Sequence, residues 1–336
     1  SLGHTCEFID IKPGEKIISK EKNSKINYLS KFDRYFVRRI RHYFFSKKRN
    51  INFRTIYFKR LGLDESTNWD KHFDVVVIGS DEVFNCLQSK GWGLSPNLLG
   101  GGINAEKIIS YAASCGYTTY NQVKKLGLEK RISSLLMNIE SFSVRDENTA
   151  DFVRKLTGKE PVYHLDPVFI YDFQNELPKI KIKYNYILIY SYDGRIKSKQ
   201  EINSIQLFAK KNNLKIISAG LYQSWCDKNI SASPFELLSY VRNAKYVVTD
   251  TFHGTVFSIK YNKQFATLIR GSNKQKLSDL LMRFGLESRK VLNVDFLSDI
   301  LEQKIDYEPI NDFIYKQNEN SISYLNDNIN NYNEKI

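Results

Sequence analysis

Tyr246-Val247-Val248-Thr249-Asp250-Thr251-Phe252-His253-Gly254-Thr255 runs from an apolar stretch through a polar turn into residues with helical spacing. Tyr246 to Thr249 reads as a short buried strand, and residues 252–261 as the helix it feeds. Strands of this kind, bounded by turns and followed by helices, belong to parallel sheets whose faces are both covered.

Working outward, the same alternation repeats. Strands are expected at 186–190, 214–219 and 265–269, and helices at 198–212, 234–243 and 276–284. An earlier series has strands at 73–78, 107–113, 141–145 and 162–165, with helices at 122–138 and 147–156. A polar stretch over 172–183, containing Pro178, separates the two series. The fold class is therefore α/β, with doubly wound, Rossmann-like domains. The expected domains are 1–177, carrying a basic helical insertion at 26–63, and 178–310, followed by a terminal helix over 311–336. A further strand is expected at 6–11. Ser1-Leu2-Gly3 reads like the end of a helix, which implies a removed upstream segment.

The chain has 336 residues, 42% of them hydrophobic and 13% aromatic, enough for two domains. No apolar run approaches the roughly 18 residues of a membrane span. Cys6, Cys86, Cys115 and Cys226 lie far apart with no C-x-x-C pair, so a zinc site or disulfide scaffold is not indicated and a reducing, cytoplasmic compartment is expected. There is no G-x-G-x-x-G, no P-loop and no H-x-x-x-H, so neither a metal nor a redox cofactor is expected.

The formal net charge is +13, and residues 31–60 hold eleven Lys or Arg against the single acid Asp33. Tyr28, Phe32, Phe36, Ile40 and Tyr43 recur at helical spacing beside Lys31, Arg34, Arg38 and Arg41. Such a helix suits an anionic membrane surface, where each nearby cation is worth ~1 kcal/mol, and it suits equally well a helix packed on its own domain with a solvated edge. No helix-turn-helix, zinc-finger or RNA-recognition signature accompanies it, so specific nucleic-acid binding is not expected.

The chemistry is expected at strand ends. A helix N-terminus at His253 offers amides and a positive dipole end to a phosphate or carboxylate, with Thr251 or Thr255 as a hydroxyl donor. The dipole is worth only ~0.3–1 kcal/mol, so cations should converge there, and Arg145 and Arg270 each follow a strand. Ser80, Asp81 and Asn85 follow the 73–78 strand, and Asp166 precedes Pro167 at another. Each has a plainer role too: a first-turn His caps or packs, a post-strand Arg pairs with an acid, and Gly79-Ser80-Asp81 forms an Asx turn.

In order, Gly79-Ser80-Asp81-Glu82-Val83-Phe84-Asn85, Ser110-Tyr111-Ala112-Ala113-Ser114-Cys115-Gly116, Ser143-Val144-Arg145-Asp146, Leu165-Asp166-Pro167 and Asp250-Thr251-Phe252-His253-Gly254-Thr255 resemble the polysaccharide pyruvyl transferase family. Leu280-Leu281-Met282-Arg283-Phe284-Gly285-Leu286 extends the likeness, while Phe84 stands where members usually carry Trp. The resemblance implies two Rossmann-like domains facing a cleft, as in GT-B glycosyltransferases. It also implies transfer of pyruvate from phosphoenolpyruvate (PEP) to a sugar or lipid-linked oligosaccharide as a ketal. It gives His253 and Asp81 catalytic roles and assigns Arg145, Thr251, Phe252, Gly254, Thr255 and Arg270 to PEP. Ser80, Asn85 and Ser114 go to the acceptor. Two other classes stay open to the sequence: a GT-B glycosyltransferase using a nucleotide-sugar, and a non-enzymatic protein recruited to membrane or nucleic acid through residues 28–60.

Overall fold

The computed structural model describes residues 3–18, 32–59, 61, 68–89, 91–271 and 273–330; the side chains of 32–39 and 52 are outside that description. The described residues fall into two compact units, one within Ser1–Lys25, Lys59–Ile170 and Asp312–Ile336, the other within Ile26–Phe58 and Tyr171–Asn311.

The first unit holds strands β1 (Phe73–Ile78), β2 (Ala105–Ser110), β3 (Ser143–Val144) and β4 (Val162–Tyr163). β1 pairs with β2 and β3 with β4, all parallel, and parallel bridges from Ile109 to Ser141 and from Ala113 to Val144 join β2 to β3. Helices α2 (Tyr120–Lys125), α3 (Glu129–Leu136) and α4 (Glu147–Thr157) cover it. Val76, Ile78, Ile108, Ile132, Leu136, Phe152 and Val153 meet in its core. Residues 122–138, expected as one helix, are two. Gly127 takes φ +67° between them, a left-handed conformation that ends one helix and that a glycine adopts without strain. The strand expected at 6–11 does not form. The Asp10 carbonyl there accepts from Trp69 Nε1 at 2.9 Å and Asn97 Nδ2 at 3.1 Å, so side chains take the place of a ladder.

The second unit is a six-stranded parallel sheet, from β5 (Tyr186–Tyr190), β6 (Lys215–Ala219), β7 (Lys228–Ile230), β8 (Tyr246–Thr249), β9 (Gln264–Leu268) and β10 (Lys290–Val291), in the order β10-β9-β8-β5-β6-β7. Counted from β5, this is the dinucleotide-fold order, which reverses between its first and fourth strands, here β5 and β8. Four of the five β5 residues are buried, as expected of a central strand covered on both faces. The helices are α5 (Lys199–Lys211), α6 (Pro234–Asn243), α7 (Phe252–Lys260), α8 (Lys274–Arg283) and α9 (Leu297–Glu302). α6 begins with Pro234 at its first position and a reciprocal Ser233–Glu236 capping box. β7, β10 and α9 carry too few apolar residues to have stood out in the sequence.

The terminal helix α10 (Glu308–Ile329) begins ahead of the expected 311. Its Tyr324 hydroxyl donates to the Ser110 and Ser141 carbonyls, 2.9 and 3.1 Å away in the first unit.

Helix α1 (Phe32–Asn52) continues as a π-helical turn over Phe53–Phe58. The sequence placed this insertion with the N-terminal domain; its contacts place it with the second unit. His42 Nε2 lies 2.6 Å from Asp193 Oδ2, and the His42 and Phe45 rings pack on Tyr222 at 5.2 and 5.5 Å. Tyr28, Lys31, Tyr332, Ser1, Leu2 and the expected helix end at 62–63 lie outside the described residues, as do the side chains of Phe32, Arg34, Phe36 and Arg38. No helix among the described residues is long and apolar enough to cross a membrane.

Candidate functional site

In the second unit the candidate groups gather where the strand order reverses, beyond the carboxyl ends of β5 and β8. The Thr249 hydroxyl ties these two strand ends together, 2.6 Å from the Tyr190 carbonyl. The chain then turns into α7, with Thr251 as the N-cap accepting from the Gly254 amide at 2.9 Å.

The threonines expected to meet a ligand are committed elsewhere. Thr251 Oγ1 caps the helix and lies 3.0 Å from Thr249 Oγ1. Thr255 is fully buried, its hydroxyl 3.1 Å from the Thr251 carbonyl and 3.2 Å from Thr267 Oγ1. Gly254 is a packing residue, since a Cβ there would stand 2.1 Å from Thr249 Oγ1. Phe252 is buried, with its ring edge-on to His253 at 5.6 Å. His253 is the partly exposed side chain of this turn, held between the Phe252 and Phe257 rings.

Arg270, two residues past β9, reaches Asp250 Oδ2 with Nε at 3.6 Å and pairs through Nη1 with Glu201. Its Nη2 is buried and has no hydrogen-bond partner, an unsatisfied donor on a charged group. Asp250 is wholly buried, and neither of its oxygens makes a hydrogen bond. Burial pushes its carboxyl above the usual range. The opposing influences are the Ser191 hydroxyl, then Arg195, whose Nη1 is 3.9 Å away, and Arg270. Arg195, Asp250 and Glu201 were not singled out in the sequence. The signal was there for Asp250, inside the quoted motif, and for Arg195, which follows the end of β5.

In the first unit the chain leaves β1 through Gly79, at φ +144°, where a Cβ would fall 2.0 Å from the Tyr111 carbonyl, and a cis Gly79–Ser80 peptide. Asp81 follows at φ +67°, with a carbonyl that accepts from the Ser114 amide at 2.9 Å. Its side chain is 55% exposed and takes Arg145 Nη2 at 2.9 Å, while Arg145 Nη1 reaches Asp166 Oδ2 at 3.3 Å. The Arg145 side chain is only 3% exposed. One guanidinium therefore serves two carboxylates. Asp166 also caps the turn after it through the Val168 amide.

Asn85 and Ser114, expected on the acceptor side, are both fully buried. Asn85 is bonded to Glu82 at 2.8 Å and Thr118 at 2.7 Å, and Ser114 donates to Asp146 at 2.6 Å while accepting from Gly116. They shape the loops behind Ser80 and Asp81, which keep partly exposed side chains. Among the described residues no group of three or more His, Cys, Asp and Glu is placed to hold a metal ion.

Among solved structures the chain is similar to a Thermobaculum terrenum O-GlcNAc transferase variant, at 10% identity and TM-score 0.38, covering 76% of this chain and 49% of that one. It is also similar to Arabidopsis thaliana UGT89C1 complexed with UDP-L-rhamnose, at 9% identity and TM-score 0.36, covering 74% and 62%. E. coli heptosyltransferase WaaC with ADP is a third, at 13% identity and TM-score 0.31, covering 74% and 100%. The chain spans about half the length of the first of these and under two thirds of the second. No curated protein matches the sequence significantly. The family model described as polysaccharide pyruvyl transferase matches residues 1–272, which takes in β1, the Asp81–Arg145 loops, the His253 turn and Arg270. With four fifths of its length so matched, the chain belongs to the polysaccharide pyruvyl transferase family.

Proposed function

We propose that the second unit binds PEP at the amino end of α7 and that the protein transfers its pyruvyl group to two hydroxyls of one sugar, forming a ketal. The observation that carries this reading is the buried, unsatisfied Nη2 of Arg270 beside the His253 turn, at the strand-order reversal of the sheet. A helix amino end and a guanidinium edge together suit a carboxylate and a phosphate on one small molecule.

The methylene carbon of PEP takes a proton, leaving an oxocarbenium-like centre at the adjoining carbon. One sugar hydroxyl adds there and loses its proton. The second hydroxyl then adds as the carbon–oxygen bond to phosphate breaks. Of the two hydroxyl protons lost, one balances the new methyl group and the other leaves on inorganic phosphate. His253 serves as acid toward the methylene or the departing phosphate, help typically worth ~10²–10⁴-fold. Asp81, exposed beside Arg145, serves as base toward the sugar, with Ser80 next to it. Arg145 is a positioning residue in this reading. Its place after a strand suggested it for PEP, but its fork is taken by Asp81 and Asp166.

A thermal-shift screen of the whole chain tests the donor. PEP should raise the apparent stability, because only a ligand of the native state does so. A shift with UDP- or ADP-sugars and none with PEP would transfer the reading to a nucleotide-sugar glycosyltransferase. Activity in cell-surface polysaccharide synthesis and an acceptor that is a sugar or lipid-linked oligosaccharide follow from this reading.

A further inference from the structure

Helix α1 has two opposite faces. His42, Phe45 and Arg49, three and four residues apart, form the inner one, bound to Asp193, the Tyr222 ring and the Gly220 carbonyl. Turned half a revolution away are Ile40, Tyr43, Phe44 and Ile51, exposed by 39, 59, 62 and 49%. Lys47 lies in the same stripe, its ammonium 5.9 Å from the Tyr43 ring, and the exposed Arg41 and Lys48 flank it. The π-helical turn that follows adds exposed Phe53, Ile56 and Phe58 with Arg54 and Lys59. The helix packs on its own unit through the inner side, and the apolar stripe among its described side chains faces solvent.

We infer that this outward face of α1 docks the protein on an anionic lipid bilayer. Large apolar and aromatic side chains rimmed by cations, on a helix with nine Lys or Arg and one acid over residues 32–59, are what an interfacial helix presents to acidic headgroups. A lone apolar face could equally meet a second copy of the chain, but this one would then bring two strongly positive helices together, which like-charge repulsion opposes. The inference is independent of the proposed reaction.

The test is co-sedimentation of the full chain with vesicles of phosphatidylcholine alone and of phosphatidylcholine with phosphatidylglycerol, at low and high salt. Binding should require the anionic lipid and weaken with salt. Phe44→Ser with Ile51→Ser, and separately Lys47→Glu with Lys48→Glu, should each lower it at least tenfold, while far-UV circular dichroism and phosphate release with a soluble acceptor stay unchanged. No binding to anionic vesicles, equal binding to neutral ones, or unaltered binding by both double variants would overturn the inference. So would a sedimentation-velocity dimer that Phe44→Ser with Ile51→Ser dissolves.

Discussion

Asp250 Oδ2 and Arg270 Nε stand 3.6 Å apart beyond the ends of adjacent parallel strands, the carboxylate wholly buried and the guanidinium one quarter exposed. The acid faces one edge of the arginine at ion-pair distance, and Nη2 has no hydrogen-bond partner, which is the donor the proposed PEP site would use. Hydrogen bonds to charged groups contribute about 1.5–3 kcal/mol, so Arg270→Ala should weaken PEP binding by roughly 10- to 100-fold in titration calorimetry. Arg270→Lys should recover only part of it, because an ammonium cannot reproduce the fork.

The same substitution has a pH signature. A carboxyl whose pKa is higher folded than unfolded holds a proton in the native state that the unfolded chain releases, so stability falls as pH rises between the two values. Burial already raises Asp250, and removing Arg270 takes away one of the groups opposing that rise. Denaturation of Arg270→Ala should therefore show a larger deficit against wild type at pH 8 than at pH 5. A deficit that does not vary with pH would mean that Asp250 is not the group being exposed.

Thr251 is the N-cap of α7, and His253 in its first turn is partly exposed. His253→Ala should fold normally and lower kcat by about 10²–10⁴-fold with little change in KM for PEP. Full turnover by the folded variant would remove the histidine from the chemistry.

Arg145 and Asp81 should behave as one unit. Asp81→Asn and Arg145→Ala should each lower kcat, and the double variant should be scarcely worse than the poorer single one, as for residues that act through each other. If Arg145→Ala instead raises KM for PEP tenfold or more and leaves kcat intact, the guanidinium belongs to the donor.

Legibility in the sequence tracked local physics. The alternation around β5, β6, β8 and β9 was readable because each of those strands has a mostly apolar, buried run, and α6 and β8 fall at the expected residues because Pro234 and the Thr249-Asp250-Thr251 turn punctuate them. β7, as Lys228-Asn229-Ile230, has no such pattern and gains its place only by pairing with β6. In the site, residue types were legible but their partners were not. Thr255, Asn85 and Ser114 are polar residues in the segments that follow strands, as ligand-binding residues would be. Their burial and internal hydrogen bonds come from residues up to 33 positions away.

Packing around the His253 turn leaves no room behind Gly254. Gly254→Ala should place a methyl 2.1 Å from Thr249 Oγ1 and 2.7 Å from Thr251 Oγ1, disturbing both the cap and the tie to β5. Overpacking of this sort typically costs about 1–3 kcal/mol. Urea denaturation should show the loss, and activity should fall with it.

The cysteines report on burial elsewhere. Cys6 is exposed, whereas burial pushes Cys86 up to about 12 and Cys115 and Cys226 higher than an ordinary thiol. Because the thiolate is the nucleophile, iodoacetamide should label Cys6 in the native protein and the other three only after unfolding. Mass spectrometry of native digests checks this, and prompt labelling of Cys115 would contradict the packing of the Ser114 loop.

The most direct measurement of the central claim is mass spectrometry of sugar acceptors incubated with the protein and PEP, alongside an assay of released phosphate. The account requires an acceptor that gains one pyruvate ketal, one phosphate released for each, and the loss of both in His253→Ala. An acceptor that gains mass only when a nucleotide-sugar replaces PEP, with no phosphate released from PEP, would contradict it.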